Sequence, residues 1–236
     1  MNDLMQTRRP TSDRPLLGQS VLVVEDSRHA GEALRLMCMK GGARIRRADC
    51  LKSADRHLKS WRPSVVIIDL GLPDGSGLDL IRRLNTATPR VAVLLAVSGE
   101  PQMRQAALAA GADGFLAKPF GSVANFHAMV LAKLPHAARP LGPRRLDTDV
   151  LEPDEAMFLD DLSLIGELMD GSADRATMAY AMDFARGLAR SVGDTELLAA
   201  VARLEAALDH GRPILPEIGN LAALVQTRTG GRRMAG

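Results

Sequence analysis

The chain is poor in aromatic residues, cysteine and long apolar runs. Aromatics make up 3% of its 236 residues, with one Trp and one Tyr. That argues against aromatic platforms for stacking single-stranded nucleic acid or sugars. The two cysteines, Cys38 and Cys50, cannot build a disulfide framework and lack metal-site spacing. Both read as small buried or half-buried thiols. The longest uninterrupted apolar stretch, near 91–97, is far too short to span a bilayer. Residues 1–18 carry Arg8, Arg9 and Pro10 but no apolar core of a secretion signal. The expectation is a soluble, cytoplasmic protein that does not engage a membrane.

Charge is scarce in net terms, +2 overall, but unevenly spread. Residues 151–236 hold 14 acidic and 8 basic side chains, net −6, and the first 150 hold 22 basic and 14 acidic, net +8. No lysine follows Lys133. The second half is therefore not a basic nucleic-acid module, and nucleic acid is not expected as a partner. His210 is the one histidine after His136 and lies between Asp209 and Gly211. It reads as a charge at a helix C-terminus.

What is present is a set of four short apolar runs, each ending in a polar or ionisable residue. They are Val21–Val24 before Glu25 and Asp26, Val65–Ile68 before Asp69, Val93–Val97 before Ser98, and Leu116–Ala117 before Lys118. Such runs read as buried parallel strands. In an open α/β sheet, ligands bind outside the carboxyl ends of the strands. Three close carboxylates, Glu25, Asp26 and Asp69, raise one another's proton affinity unless a cation relieves the repulsion. Mg²⁺ suits the role, because it takes a few carboxylates, keeps waters and bridges to phosphate oxygens. Asp69 is then a nucleophile toward a phosphodonor. Lys118 supplies a compact positive charge and Ser98 a hydroxyl donor for phosphoryl oxygens.

At these residues the chain resembles the receiver domain of bacterial two-component response regulators. The likeness runs from about Gln19 to about Leu134. It includes the Glu25-Asp26 pair, the loop from Asp69 to Gly77, Ser98-Gly99, and the run Gly111–Phe120. The resemblance implies that Asp69 is phosphorylated by a histidine kinase or a histidine phosphotransfer protein. It implies that the backbone carbonyl of Gly71 completes a Mg²⁺ shell with Glu25, Asp26 and Asp69. Ser98 and Phe115 would couple phosphorylation to a change of surface, and Lys118-Pro119 would be a cis peptide. Phe115 has no hydroxyl, so packing alone would drive any inward swing. No enzymatic activity is implied beyond phosphorylation and dephosphorylation of the chain itself.

Strand and helix patterns alternate from 20 to 134 with short connections. This predicts an α/β fold with a doubly wound, five-stranded parallel sheet. The resemblance implies the flavodoxin-like order 2-1-3-4-5. Residues 1–18 read as a disordered arm, 19–134 as the receiver, 135–153 as a Pro/Arg-rich extended linker, and 228–236 as a tail. Residues 154–227 read as a smaller all-α domain of four amphipathic helices. The boundaries expected there are Asp154–Met169, Ala173–Arg190 capped by Ser172, Thr195–Asp209 capped by Asp194, and a short helix over Pro216–Gln226. No resemblance identifies this segment. It lacks a basic recognition helix and the His/Asp clusters of phosphodiesterases. The expected function is a phosphorylation-switched interaction protein whose C-terminal helices bind a protein partner or a second copy as a homodimer. A transcription regulator with a divergent DNA-binding output, and a phosphorelay intermediate or phosphate sink, are the alternatives.

Overall fold

The computed structural model describes residues 9–142, 147–149, 155–169 and 174–230. The chain divides into two compact units, Met1–Asp26 with Gly31–Glu152, and Ser27–Ala30 with Pro153–Gly236.

The first unit contains strands β1 (Ser20–Val24), β2 (Arg44–Ala48), β3 (Val65–Asp69), β4 (Val93–Ser98) and β5 (Gly114–Ala117). They alternate with helices α1 (Arg28–Lys40, whose first residues group with the second unit), α2 (Leu51–Ser60), α3 (Gly77–Thr86), α4 (Met103–Ala109) and α5 (Val123–Lys133). All strand pairs in this sheet are parallel, in the order β2-β1-β3-β4-β5. The sheet is the doubly wound type that the alternation predicts, in the flavodoxin-like order that the resemblance implies. A two-stranded antiparallel hairpin, Gly71–Leu72 with Gly75–Ser76, follows β3.

Period-2 alternation divides the strand residues between two cores. Val21, Val23, Val65, Ile67, Val93, Leu95 and Val97 join Leu34 and Met37 of α1 and Phe126 and Val130 of α5. Leu22, Val24, Val66, Ile68, Leu94 and Ala96 join Ala54 of α2, Leu80 and Ile81 of α3, and Ala107 of α4. Each fully buried Val, Leu or Ile contributes roughly 1.5–3 kcal/mol. Only β2, at the edge, breaks the apolar run. Its Arg44 and Arg46 are exposed, a charged guard against edge pairing, and the Arg46 guanidinium lies 4.6 Å above the Trp61 ring.

Two expectations need correction here. The arm expected over residues 1–18 is ordered in its described part: Leu16 is fully buried in the α1–α5 core, and its amide donates to the Gly41 carbonyl at 2.7 Å. The Leu16-Leu17 pair between Pro15 and Gly18 is too short to give a periodicity, so the sequence carried no sign of this. Residues 1–8 lie outside the described residues. The expected solvated linker is tied to the first unit in its described parts. Arg139 donates to the Leu134 carbonyl, and the carbonyls of Asp147 and Asp149 accept from the amides of Ala124 and Val123. Those first-turn amides of α5 have no partner inside the helix. Lys40 bonds both aspartates, in exposed pairs worth little on their own.

The second unit contains α6 (Glu155–Leu168), α7 (Arg175–Val192), α8 (Thr195–Asp209) and α9 (Leu215–Gly230). α6 packs on α7 and α9, and α8 packs on the same two, which closes a four-helix ring. Its core is Leu162, Ile165, Met178, Ala181, Ala185, Leu188, Leu197, Val201, Leu204, Leu221 and neighbours. The methionines Met169, Met178 and Met182 are buried there as packing residues. Gly193, at φ +70°, ends α7 in the left-handed conformation. Asp194 caps α8 by accepting from the Leu197 amide at 2.9 Å. α7 is capped by Asp174, which accepts from the Thr177 amide at 2.7 Å. The expected cap, Ser172, lies outside the described residues. α9 is longer than the Pro216–Gln226 span expected, running from Leu215 to Gly230, and its added last turn carries Arg228, which pairs with Asp194 and Glu196 of α8's start. Of 228–236, expected as a tail, residues 228–230 are therefore helical and 231–236 lie outside the described residues.

Candidate functional site

The parallel sheet sends the residues after β1, β3, β4 and β5 to one edge. The ladder bonding continues past the strands and fixes them. The Glu25 amide donates to the Ala48 carbonyl at 2.9 Å, Leu70 to Val97 at 3.0 Å, and Lys118 to Ser98 at 2.9 Å. Glu25, Asp26 and Asp69 thus present carboxylate oxygens that all lie within 4.8 Å of one another. The Lys118 ammonium enters this group, 2.8 Å from Asp69 Oδ2 and 2.9 Å from Glu25 Oε1. The Lys118-Pro119 bond that follows is cis, as is Thr88-Pro89.

Glu25 is 1% exposed, Asp69 7% and Lys118 8%. Burial, and then the Asp69 charge, push the Glu25 carboxyl well above its usual range despite the favourable Lys118 charge. Burial alone would lower the Lys118 ammonium, but Asp69 and Glu25 outweigh it and hold its pKa above the ordinary lysine value. One ammonium against three carboxylates leaves a negative excess at the sheet edge. A divalent cation fits that excess.

The other expected residues are placed as follows. Ser98 ends β4 opposite Ala117 of β5, and its Oγ accepts from the Glu100 amide at 3.0 Å. The Gly71 amide approaches Asp69 Oδ1 at 3.4 Å. Phe115, opposite Ala96, is buried in the core shared by α3 and α4 and does not join the carboxylate group.

Two residues that shape the site were not singled out from sequence. Gly77 opens α3 directly beneath Asp69; a Cβ there would stand 2.0 Å from the Asp69 carbonyl oxygen. Asp74, in the hairpin turn, accepts from the Leu51 and Lys52 amides at 2.7 and 2.9 Å and so caps α2. The Gly75-Ser76-Gly77 triplet could have flagged the first. A cap 22 residues away in sequence leaves no local signal for the second.

Residues 21–130 match the family described as the response regulator receiver domain. This stretch of the chain is a receiver domain of the two-component type. The KDP operon transcriptional regulatory protein KdpE of Escherichia coli K12 is 37% identical over 102 residues, covering 43% of this chain and 45% of KdpE. The virulence transcriptional regulatory protein PhoP of Shigella flexneri is 38% identical over 101 residues, 42% of this chain and 45% of PhoP. The match thus spans about half the length of these relatives. A solved two-component response regulator from Clostridium difficile has 22% identity and a TM-score of 0.44, covering 48% of this chain and 93% of that one. Both relatives are named as transcriptional regulatory proteins, which runs against the expectation that nucleic acid is not a partner. Among the described residues, no helix is long and apolar enough to cross a membrane.

Proposed function

We propose that this chain is a cytoplasmic bacterial response regulator whose Asp69 accepts a phosphoryl group from a histidine kinase or a histidine phosphotransfer protein. The carrying observation is Lys118, bonded to both Asp69 and Glu25 at the end of the sheet. An Asp69 carboxylate oxygen attacks phosphorus and forms the O–P bond as the N–P bond of phosphohistidine breaks. The electron pair leaves with the imidazole, which then takes a proton from solvent. Glu25, Asp26, Asp69 and the Gly71 carbonyl would hold Mg²⁺, which neutralises charge on the transferring group. Lys118 keeps its charge through the step and follows one phosphoryl oxygen. Ser98 turns its hydroxyl from the Glu100 amide to donate to another. The product adds about −1.5 to −2 charge units beside Lys118. That change biases a two-state surface, with Phe115 as a packing element of it, and switches protein–protein interaction of the C-terminal helices. The chain catalyses nothing beyond its own phosphorylation and dephosphorylation.

A second reading, transcriptional control through DNA, is supported by the names of KdpE and PhoP. The net −6 of residues 151–236 weighs against it. Intact-mass spectrometry with Mg²⁺ and a small acyl phosphate is the test of the acceptor. The wild type gains one phosphoryl group and Asp69→Asn gains none; equal labelling of both would overturn the assignment. Light scattering before and after labelling reads self-association. A strongly salt-dependent shift with duplex DNA would favour the second reading.

A further inference from the structure

The receiver unit carries a basic surface that the phosphoacceptor chemistry does not use. On α2, Lys52, Arg56 and Lys59 are all exposed. Their i, i+4, i+7 spacing sets them in one row, while Leu51, Ala54 and Leu58 turn to the core. The edge strand β2 packs beside this helix. Its exposed Arg44 and Arg46 share parity with Ala48, whose side chain joins the same core as Ala54. The two arginines therefore lie on the α2 side of the sheet. Trp61, directly after α2, links the two rows: its ring packs on that core and holds the Arg46 guanidinium 4.6 Å from its centroid. Among the described residues, no carboxylate pairs with any of the five cations. The nearby acids are engaged elsewhere. Asp55 pairs with Arg83 of α3, and Asp74 accepts from the Leu51 and Lys52 amides. Guarding the sheet edge accounts for Arg44 and Arg46, but not for a second row on α2.

We propose that the β2–α2 edge is a docking surface for the phosphate backbone of duplex DNA, held without reading its sequence. Charge complementarity carries this choice. The row from Lys52 to Lys59 is about 10 Å long, and a duplex presents one negative charge per roughly 1.7 Å of its axis. Lysine and arginine contacts to phosphate position a protein on the duplex and carry no base readout. Three rival occupants fit less well. Single strands need open aromatic faces, and the Trp61 ring is covered by Arg46 and the core. A lipid surface takes apolar side chains into its acyl layer, and none of the exposed large apolar side chains of the described residues lies on β2 or α2. An acidic helical unit of a second copy has little free charge to offer, because Asp183, Asp194, Glu196, Glu205 and Glu217 pair with arginines of their own bundle. The inference does not rest on phosphorylation of Asp69. It places DNA contact on the receiver, not on the acidic C-terminal helices.

The test is fluorescence anisotropy of a labelled duplex of arbitrary sequence, titrated with the full chain at several salt concentrations. Wild type is compared with the α2 variant Lys52→Gln/Arg56→Gln/Lys59→Gln and the β2 variant Arg44→Gln/Arg46→Gln. A control with the same charge change as the α2 variant, Arg82→Gln/Arg104→Gln/Lys133→Gln, alters exposed positions of α3, α4 and α5. Glutamine keeps helix propensity close to that of lysine and arginine. In wild type the logarithm of affinity should fall linearly with the logarithm of salt, with a slope of about −4 to −5 when all five cations engage. The α2 variant should flatten that slope by about 3 and weaken binding about ten-fold or more at low salt. The β2 variant should flatten it by about 2, and the control should leave it unchanged. Should the α2 variant fail to fold, as judged by circular dichroism, Arg56→Gln alone decides, with an expected flattening of about 1. Equal losses in the α2 variant and the control would mean that net charge alone attracts the duplex, and would overturn the docking surface. Wild type that leaves the duplex unbound at low salt overturns it too. So does wild type that binds phosphatidylserine vesicles but not the duplex, which would assign the patch to lipid headgroups.

Discussion

The two units bury charge in different ways. In the sheet unit, Glu25, Asp69 and Lys118 are buried side by side, and three carboxylates face one ammonium. In the helical unit, the buried carboxylate Asp161 has a donor for each oxygen. The first arrangement is electrostatically unfinished and invites a cation and an anion in turn. The second is closed. An excess of charge of one sign at a strand end is what separates the first arrangement from the second, although both use the same residue type.

The contrast breaks most sharply at Lys118. Lys118→Ala removes the only buried cation among the described groups at that edge and leaves Glu25 and Asp69 facing each other. The expected loss is about 3–5 kcal/mol in metal-free buffer. Saturating Mg²⁺ should recover part of it, more than it adds to wild type, because a cation binding only the folded state stabilises it. Denaturant melts with and without Mg²⁺ read this directly; a loss indifferent to Mg²⁺ would refute the unfinished-charge account.

The helical unit should respond to volume instead. Leu204 of α8 is fully buried in its core, so Leu204→Ala should cost about 3 kcal/mol. The same melts should show no Mg²⁺ recovery, and phosphoryl labelling of Asp69 at low temperature should be unaffected. Recovery by Mg²⁺ in this variant would erase the distinction between the units.

The smallest effect is chemical. Burial pushes the Cys38 thiol up to about 12, so almost none of it is thiolate at pH 8. Cys50 is only half-buried, and its thiol is raised by burial and the neighbouring carboxylates of Asp49 and Asp74. A thiol-specific reagent at pH 8 should label Cys50 slowly and Cys38 only on unfolding. Equal native rates would show that the α1 core opens readily.

The strands were readable because short apolar runs such as Val65–Ile68 end on the residue that carries chemistry. Asp194 and Gly193 were readable because capping and left-handed turns depend on the local residue type. Leu16, Asp74 and Asp161 were not. Each acts on a partner far along the chain: Leu16 on the core of α1 and α5, Asp74 on α2, and Asp161 on residues 132 to 134 positions before it. Gly77 was visible as one glycine among several, but its need for no side chain depends on the Asp69 carbonyl it meets.

By itself the sequence determined the alternation of strands and helices, the residues at the strand ends and the apolar stripes of the bundle. These follow from periodicity and local backbone preference, which act over a few residues. Only the tertiary structure decided that Lys118 divides itself between Glu25 and Asp69, and that Ser98 accepts from the Glu100 amide. Each depends on distances of a few ångströms between groups remote in sequence. Hydrogen bonds form only at heavy-atom separations of about 3 Å, and a pattern along the chain does not record which remote groups come that close.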